Sequence, residues 1–176
     1  VSVAMIEECG AAFCLTGHSE RRHVIGESDA VVRDKTHALL GAGLGCVLCI
    51  GEKIEEREAG QTDAVNARQL TTALEGLDEA VAKKLLTIAY EPVWAIGTGL
   101  VCPSDTAQKV HEFIRAKLAQ MYDQETADAV RIQYGGSVTP DSVDELMAKP
   151  DIDGLLVGGA SLVSDKFVRI LNYETA

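Results

Sequence analysis

The sequence predicts a parallel α/β fold, and two observations carry that prediction. Five short apolar runs recur along the 176 residues, at 11–15, 46–50, 85–90, 130–134 and 154–157. None alternates cleanly between apolar and polar, so each suits a parallel strand covered by helices. Between the runs lie segments whose apolar residues recur at helical spacing. Strand and helix in alternation imply a parallel sheet, either open and doubly wound or closed into a barrel. Periodicity alone does not separate the two.

Taken in order, a helical stretch at 2–9 comes first, followed by five strand–helix pairs. Val110, Phe113, Ile114, Leu118 and Met121 fall on one helical face, as do Val143, Leu146 and Met147, and Val163, Phe167, Ile170 and Leu171. These stripes are read as core-facing. Ser104 precedes the first stripe as a cap, and Thr139-Pro140-Asp141 opens the second with a cap, a first-turn proline and an acid. No Pro/Gly/Ser-rich linker divides the chain, so residues 1–176 are read as one domain.

A formal net charge of −11, from 27 acidic and 16 basic residues, repels nucleic-acid backbones and anionic lipid, which discounts both as partners. No run reaches the length of a membrane span, and no leading secretory segment is present. Five cysteines without an export signal suggest reduced thiols in the cytosol. Cys46 and Cys49 are three apart in a strand and so point to opposite faces, which suits neither a metal nor a redox pair.

Chemistry gathers at the ends of the apolar runs. They finish in Gly17-His18-Ser19-Glu20, Gly51-Glu52, Glu91-Pro92-Val93-Trp94, Gly135-Gly136-Ser137 and Gly158-Gly159-Ala160-Ser161. In parallel α/β folds the carboxyl ends of the strands are where ligands bind. Polar, glycine-rich loops are common after any strand, but five together favour a site. Glycine lets backbone N–H groups approach an anion, and a following helix N-terminus adds partial positive charge, so the two glycine pairs suit a phosphate. Neither pair is a nucleotide fingerprint. Glu91 ends an apolar run, where desolvation would raise its pKa and strengthen it as a base. With His18 as electrophile and a phosphate cradle on the same rim, the set suggests proton abstraction next to a carbonyl.

Four stretches carry a closer likeness: 17–22 (GHSERR), 90–99 (YEPVWAIGTG), 134–137 (YGGS) and 157–162 (VGGASL). In order, spacing and content the chain resembles the triosephosphate isomerase family over essentially its whole length. The resemblance implies a (β/α)8 barrel, incomplete here, with about five of eight strands in 176 residues where such barrels take roughly 250. The first three βα units would be missing, making 1–176 the C-terminal part of a single barrel domain, and a start at Val1 fits that expectation. The missing part would hold the family's active-site lysine and most of an interface loop.

The implied reaction interconverts dihydroxyacetone phosphate and D-glyceraldehyde 3-phosphate through an enediolate, with neither metal nor organic cofactor. By resemblance Glu91 is the base, and His18 is a neutral imidazole that polarises the carbonyl; the latter is the family's established chemistry rather than a deduction from spacing. Backbone N–H groups of Gly97, Ser137, Gly158 and Gly159 would hold the phosphate. Residues 92–101, including Pro92, Trp94 and Ile96, would form a closing lid held by Tyr134 and Ser137, with Glu20 supporting the site. Where the family usually has a lysine and two small residues after the lid glycine, this chain has Leu100-Val101-Cys102. A homodimer, a cytoplasmic location and a place in glycolysis and gluconeogenesis are implied for the complete protein. Two alternatives stand beside this one. Another phosphate-binding barrel, an epimerase or an aldolase, would need metal ligands or a Schiff-base lysine. A non-catalytic fragment would bind phosphate weakly or require its missing part.

Overall fold

The computed structural model describes residues 1–98 and 100–175. Strands β1 (Phe13–Thr16), β2 (Gly45–Ile50), β3 (Leu86–Tyr90), β4 (Arg131–Tyr134) and β5 (Gly154–Leu155) form one parallel sheet in chain order. A doubly wound sheet reverses its strand order at a switch point, whereas a barrel adds each strand beside the last. The observed order is the barrel's winding, in an incomplete (β/α)8 arrangement. Within the described residues β1 and β5 each pair on one side only.

The helices are α1 (Val3–Glu8), α2 (Ser19–His23), α3 (Asp29–Gly41), α4 (Ile54–Glu58), α5 (Thr62–Leu74), α6 (Glu79–Leu85), α7 (Ser104–Met121), α8 (Gln124–Ala129), α9 (Val143–Met147) and α10 (Ser164–Leu171). Two 3-10 turns, Val93–Ala95 and Gly159–Leu162, follow β3 and β5. The first three connections thus hold more helices than the one apiece that the sequence suggested. The extra ones are short and carry no apolar stripe: α2 is Ser-Glu-Arg-Arg-His, and α4 has one apolar residue in five.

Local chemistry corrects other boundaries. Leu85 closes α6 rather than opening a strand, and the last run shortens to two paired residues. Ser104 is the first residue of α7, not its cap, and its hydroxyl bonds the Glu145 carboxylate. Thr139-Pro140-Asp141 forms a turn ahead of α9. There Thr139 Oγ1 accepts from Ser142 N–H at 3.2 Å, and Ser142 Oγ accepts from Thr139 N–H at 3.0 Å.

Period-two alternation in the strands builds two faces. Leu48, Ile50, Ile88, Tyr90, Ile132 and Tyr134 turn outward and are fully buried in the core that includes Val32, Leu70 and Ile114 of the helices. Val47, Cys49 and Ala89 form a smaller cluster with Leu156 on the other face. Cys46 belongs to the first cluster and Cys49 to the second, the opposite placement expected from their spacing. At the edges the apolar surface is uncovered. Phe13 is 58% exposed, and Val163 and Leu171 lie in solvent, so the α10 stripe is core-facing only at Ile170 and partly at Phe167. The reason is position: α10 lies beyond the last strand, with its main contacts to the adjoining 3-10 turn.

Candidate active site

Alternation also aims the site. Tyr90 points outward, so Glu91 points to the inner face, level with the end of the sheet. The ladder continues past the formal strands, with Glu91 N–H donating to Ile50 O and Gly135 N–H to Tyr90 O, both at 2.7 Å. This draws Gly51 against Glu91: a Cβ on Gly51 would lie 1.7 Å from the Glu91 carbonyl oxygen, so only glycine fits.

The Glu91 side chain is buried. Its Oε2 accepts the Ser19 N–H at 2.9 Å, and its Oε1 lies 3.1 Å from His18 Nε2. Burial pushes the carboxyl up to about 7, against the pull of the Ser19 N–H and the Arg22 guanidinium, while the Glu20 charge adds to the rise. His18 caps α2, its Nδ1 accepting the Glu20 N–H at 3.4 Å. A ring nitrogen that accepts carries no proton, so the neutral ring holds its proton on Nε2, facing Glu91. The cap therefore sets the tautomer that a proton donor into the site requires.

His18 and Glu91 open onto a cavity of about 880 Å³ that Ile96, Gly97, Ser137, Gly158 and Gly159 also line. Gly158 and Gly159 are exposed, with open space where a Cβ would stand. The structure thus brings His18, Glu91 and the four expected phosphate contacts to one cavity. Pro92, Trp94, Tyr134 and Glu20 stand outside its wall. Glu20 is exposed on α2, and its N–H meets His18. Tyr134 is fully buried, its hydroxyl without a hydrogen-bond partner among the described residues. Burial beside the Cys102 thiol raises the Tyr134 pKa well above its usual value, and burial lifts the Cys102 thiol to about 11.

Sequence comparison bears on the same residues. The model of the family "Triosephosphate isomerase" matches residues 1–174. The triosephosphate isomerase of Herpetosiphon aurantiacus is 52% identical over 174 residues, which are 99% of this chain and 69% of that protein. That of Syntrophotalea carbinolica is 49% identical over the same shares. For Rhodopirellula baltica the identity is 49% over 171 residues, 97% of this chain and 67% of the relative. The chain belongs to the triosephosphate isomerase family.

In this member of the triosephosphate isomerase family, two supporting residues went unassigned in the sequence reading. Glu52 is fully buried and accepts from Tyr90 Oη at 3.1 Å, Trp94 Nε1 at 2.8 Å and Asn66 Nδ2 at 3.4 Å, with Arg57 3.8 Å away. The Arg57 guanidinium also stacks 4.4 Å over the Trp94 ring. Arg22, buried under α2, donates to Gly17 O at 2.7 Å, Asp29 at 2.7 Å and Cys49 O at 3.2 Å. The sequence offered only an acid at a strand end and the last arginine of the GHSERR stretch, without the burial and partners that give each its role. Of the stretch expected as the lid, Thr98 Oγ1 donates to Trp94 O at 2.7 Å, Leu100 and Val101 are exposed and Cys102 is buried. Gly99 lies outside the described residues.

Proposed function

We infer that this chain carries the proton-transfer and phosphate-binding apparatus of a triosephosphate isomerase, interconverting dihydroxyacetone phosphate and D-glyceraldehyde 3-phosphate. The observation that carries it is the pairing of His18 and Glu91 on the wall of a cavity that the exposed Gly158-Gly159 pair also lines. Glu91 has the affinity for a proton that a base working near neutral pH needs. A substrate carbonyl placed against His18 takes the Nε2–H bond now directed at Glu91. The freed carboxylate removes the proton from the carbon beside the carbonyl while the Nε2–H holds the enediolate oxygen. His18 gives that oxygen its Nε2 proton and takes the proton of the adjacent hydroxyl in return, and Glu91 delivers its own proton to the former carbonyl carbon. Backbone N–H groups of Gly97, Ser137, Gly158 and Gly159 hold the phosphate, and residues 92–101 close over it, with Tyr134 as their brace.

The reading takes residues 1–176 as part of a single barrel domain, supported by the one-sided pairing of β1 and β5 and the uncovered Phe13 and Leu15. The family resemblance extends it to a homodimer, to glycolysis and gluconeogenesis, and to the cytoplasm. No helix among the described residues is long and apolar enough to cross a membrane.

The test is isomerase turnover of Glu91→Gln against the parent, each measured with the complementary barrel segment described in the Discussion. Loss of the base should cost about 10² to 10⁴-fold or more in turnover with phosphate affinity retained. Turnover within tenfold of the parent removes Glu91 from this role.

A further inference from the structure

The cavity holding Glu91 and His18 has a charge problem. Glu91 and Asp141 both line it, in a chain of net charge −11, yet the proposed ligand is a phosphate dianion. Amide dipoles of the glycine turns are fixed and short-ranged. Among the described lining residues one lysine or arginine is present, Lys166.

Lys166 stands in the first turn of α10, just beyond the Gly159–Leu162 turn, whose Gly159 and Ala160 line the cavity. Its side chain is exposed. Ten of the other lysines and arginines are engaged in ion pairs, including the nearby Arg169 with Asp144, whereas Lys166 joins none among the described residues. Its neighbour Asp165 is adjacent in sequence and so does not share its helical face. An unpaired ammonium on a flexible four-carbon stem can follow an anion into the site at little cost.

We propose that Lys166 is the phosphate-binding cation of this chain, its ammonium pairing with the phosphate that the Gly158-Gly159 amides hold. The assignment rests on the triose-phosphate reading of the cavity and adds the side chain that offsets Glu91 and Asp141. Because the phosphate stays distant from the reacting carbons, the pair forms equally with substrate and transition state. Lys166 therefore sets KM and the salt dependence of capture, and leaves the chemical step alone.

The experiment titrates inorganic phosphate and glycerol 3-phosphate into the chain assembled with its complementary barrel segment, by ³¹P NMR at low and high sodium chloride. Lys166→Gln should weaken both ligands about two- to fivefold at low salt and flatten the salt dependence, the range expected of a solvent-exposed ion pair. Lys166→Glu should weaken them further, and Lys166→Arg should retain affinity. Lys149→Gln, which removes an equal charge from the surface lysine paired with Asp105, should change little and controls for net charge. Equal effects of Lys149→Gln and Lys166→Gln, or none from either, overturn the role of Lys166 while phosphate binding by the parent still stands. A parent assembly that binds neither ligand overturns both the assignment and the phosphate site. Circular dichroism of each variant confirms that an exposed substitution has left the fold intact.

Discussion

Trp94 Nε1 donates a 2.8 Å hydrogen bond to Glu52 Oε1, tying the turn after β3 to the end of β2. Three donors converge on this one buried carboxylate, and the Arg57 guanidinium both neighbours it and covers the indole. The start of the proposed lid is therefore held from beneath, by a residue that never touches the cavity.

Glu52→Ala should destabilise the protein by about 3–5 kcal/mol, because it strands Trp94, Tyr90 and Asn66 donors and leaves a cation facing an apolar gap. Glu52→Gln keeps an acceptor and should cost less. Trp94 is the one tryptophan in the sequence, so its fluorescence reports the anchor directly. An unshifted emission maximum and unchanged unfolding midpoint in Glu52→Ala would show that Trp94 is held by other means.

The raised affinity of Glu91 for its proton has a consequence for stability. Its carboxyl titrates near 7 when folded and near its ordinary 4.5 when unfolded, so between these values the folded state binds more protons. Stability then falls as pH rises through that window, by on the order of 3 kcal/mol. Glu91→Gln removes the buried charge. It should unfold at a higher temperature than the parent at pH 8, with the advantage gone below about pH 4.5. Carbon-13 titration of the Glu91 carboxyl should place its midpoint near 7, and a midpoint close to 4.5 would contradict the burial argument.

The differing legibility of these features has a physical cause. A run of five or six apolar residues is a local property, so β2 and β3 could be found within one residue of their ends. The GHSERR and YEPVWAIGTG stretches single out His18 and Glu91 through their family resemblance, which is likewise local in the chain. Glu52 could not be valued in the same way, since its donors come from positions 66, 90 and 94 and meet only in the folded chain. Lys166 was invisible for a related reason: a lysine in the first turn of an amphipathic helix looks like any solvated charge until the cavity beside it is known. The α10 stripe misled because amphipathicity shows which face seeks a partner, not whether one is present.

His111 supplies an opposite pH dependence. It is fully buried beside Tyr90 and Tyr134, with Nδ1 donating to Asp151 O at 3.0 Å and Nε2 unpartnered among the described residues. Burial pushes it down to about 4; the Asp151 carbonyl and the Asp153 and Asp151 charges resist this, and Arg115 assists it. Between about 6.5 and 4 the unfolded chain takes up a proton that the folded chain refuses, so stability falls as pH drops through that window. His111→Asn keeps a donor for the Asp151 carbonyl and cannot titrate. Its unfolding midpoint should lose less than the parent's between pH 6.5 and 4, and parallel curves for the two would rule out His111 as the source.

The inner face of the sheet leads to the last prediction. Phe13 and Leu15 share the face of Val47 on the edge strand β1, where they are 58% and 39% exposed. Burying such side chains is worth about 1.5–3 kcal/mol each, and an unpaired strand edge invites association with other chains. The Herpetosiphon relative is matched over 69% of its length, and the unmatched remainder is the natural candidate to pair with these edges. The chain alone should aggregate, unfold at low temperature and turn over triose phosphates far below the rate of that relative. Adding the unmatched segment as a separate polypeptide should bury Phe13 and Leu15, sharpen the size-exclusion profile, raise the unfolding temperature and bring isomerase activity that Glu91→Gln abolishes. Phe13→Asp should block these gains, by placing a charge where the closing strands must pack. A monodisperse chain that unfolds cooperatively and turns over at the relative's rate without the segment would show instead that five strands suffice and that the exposed inner face needs no cover.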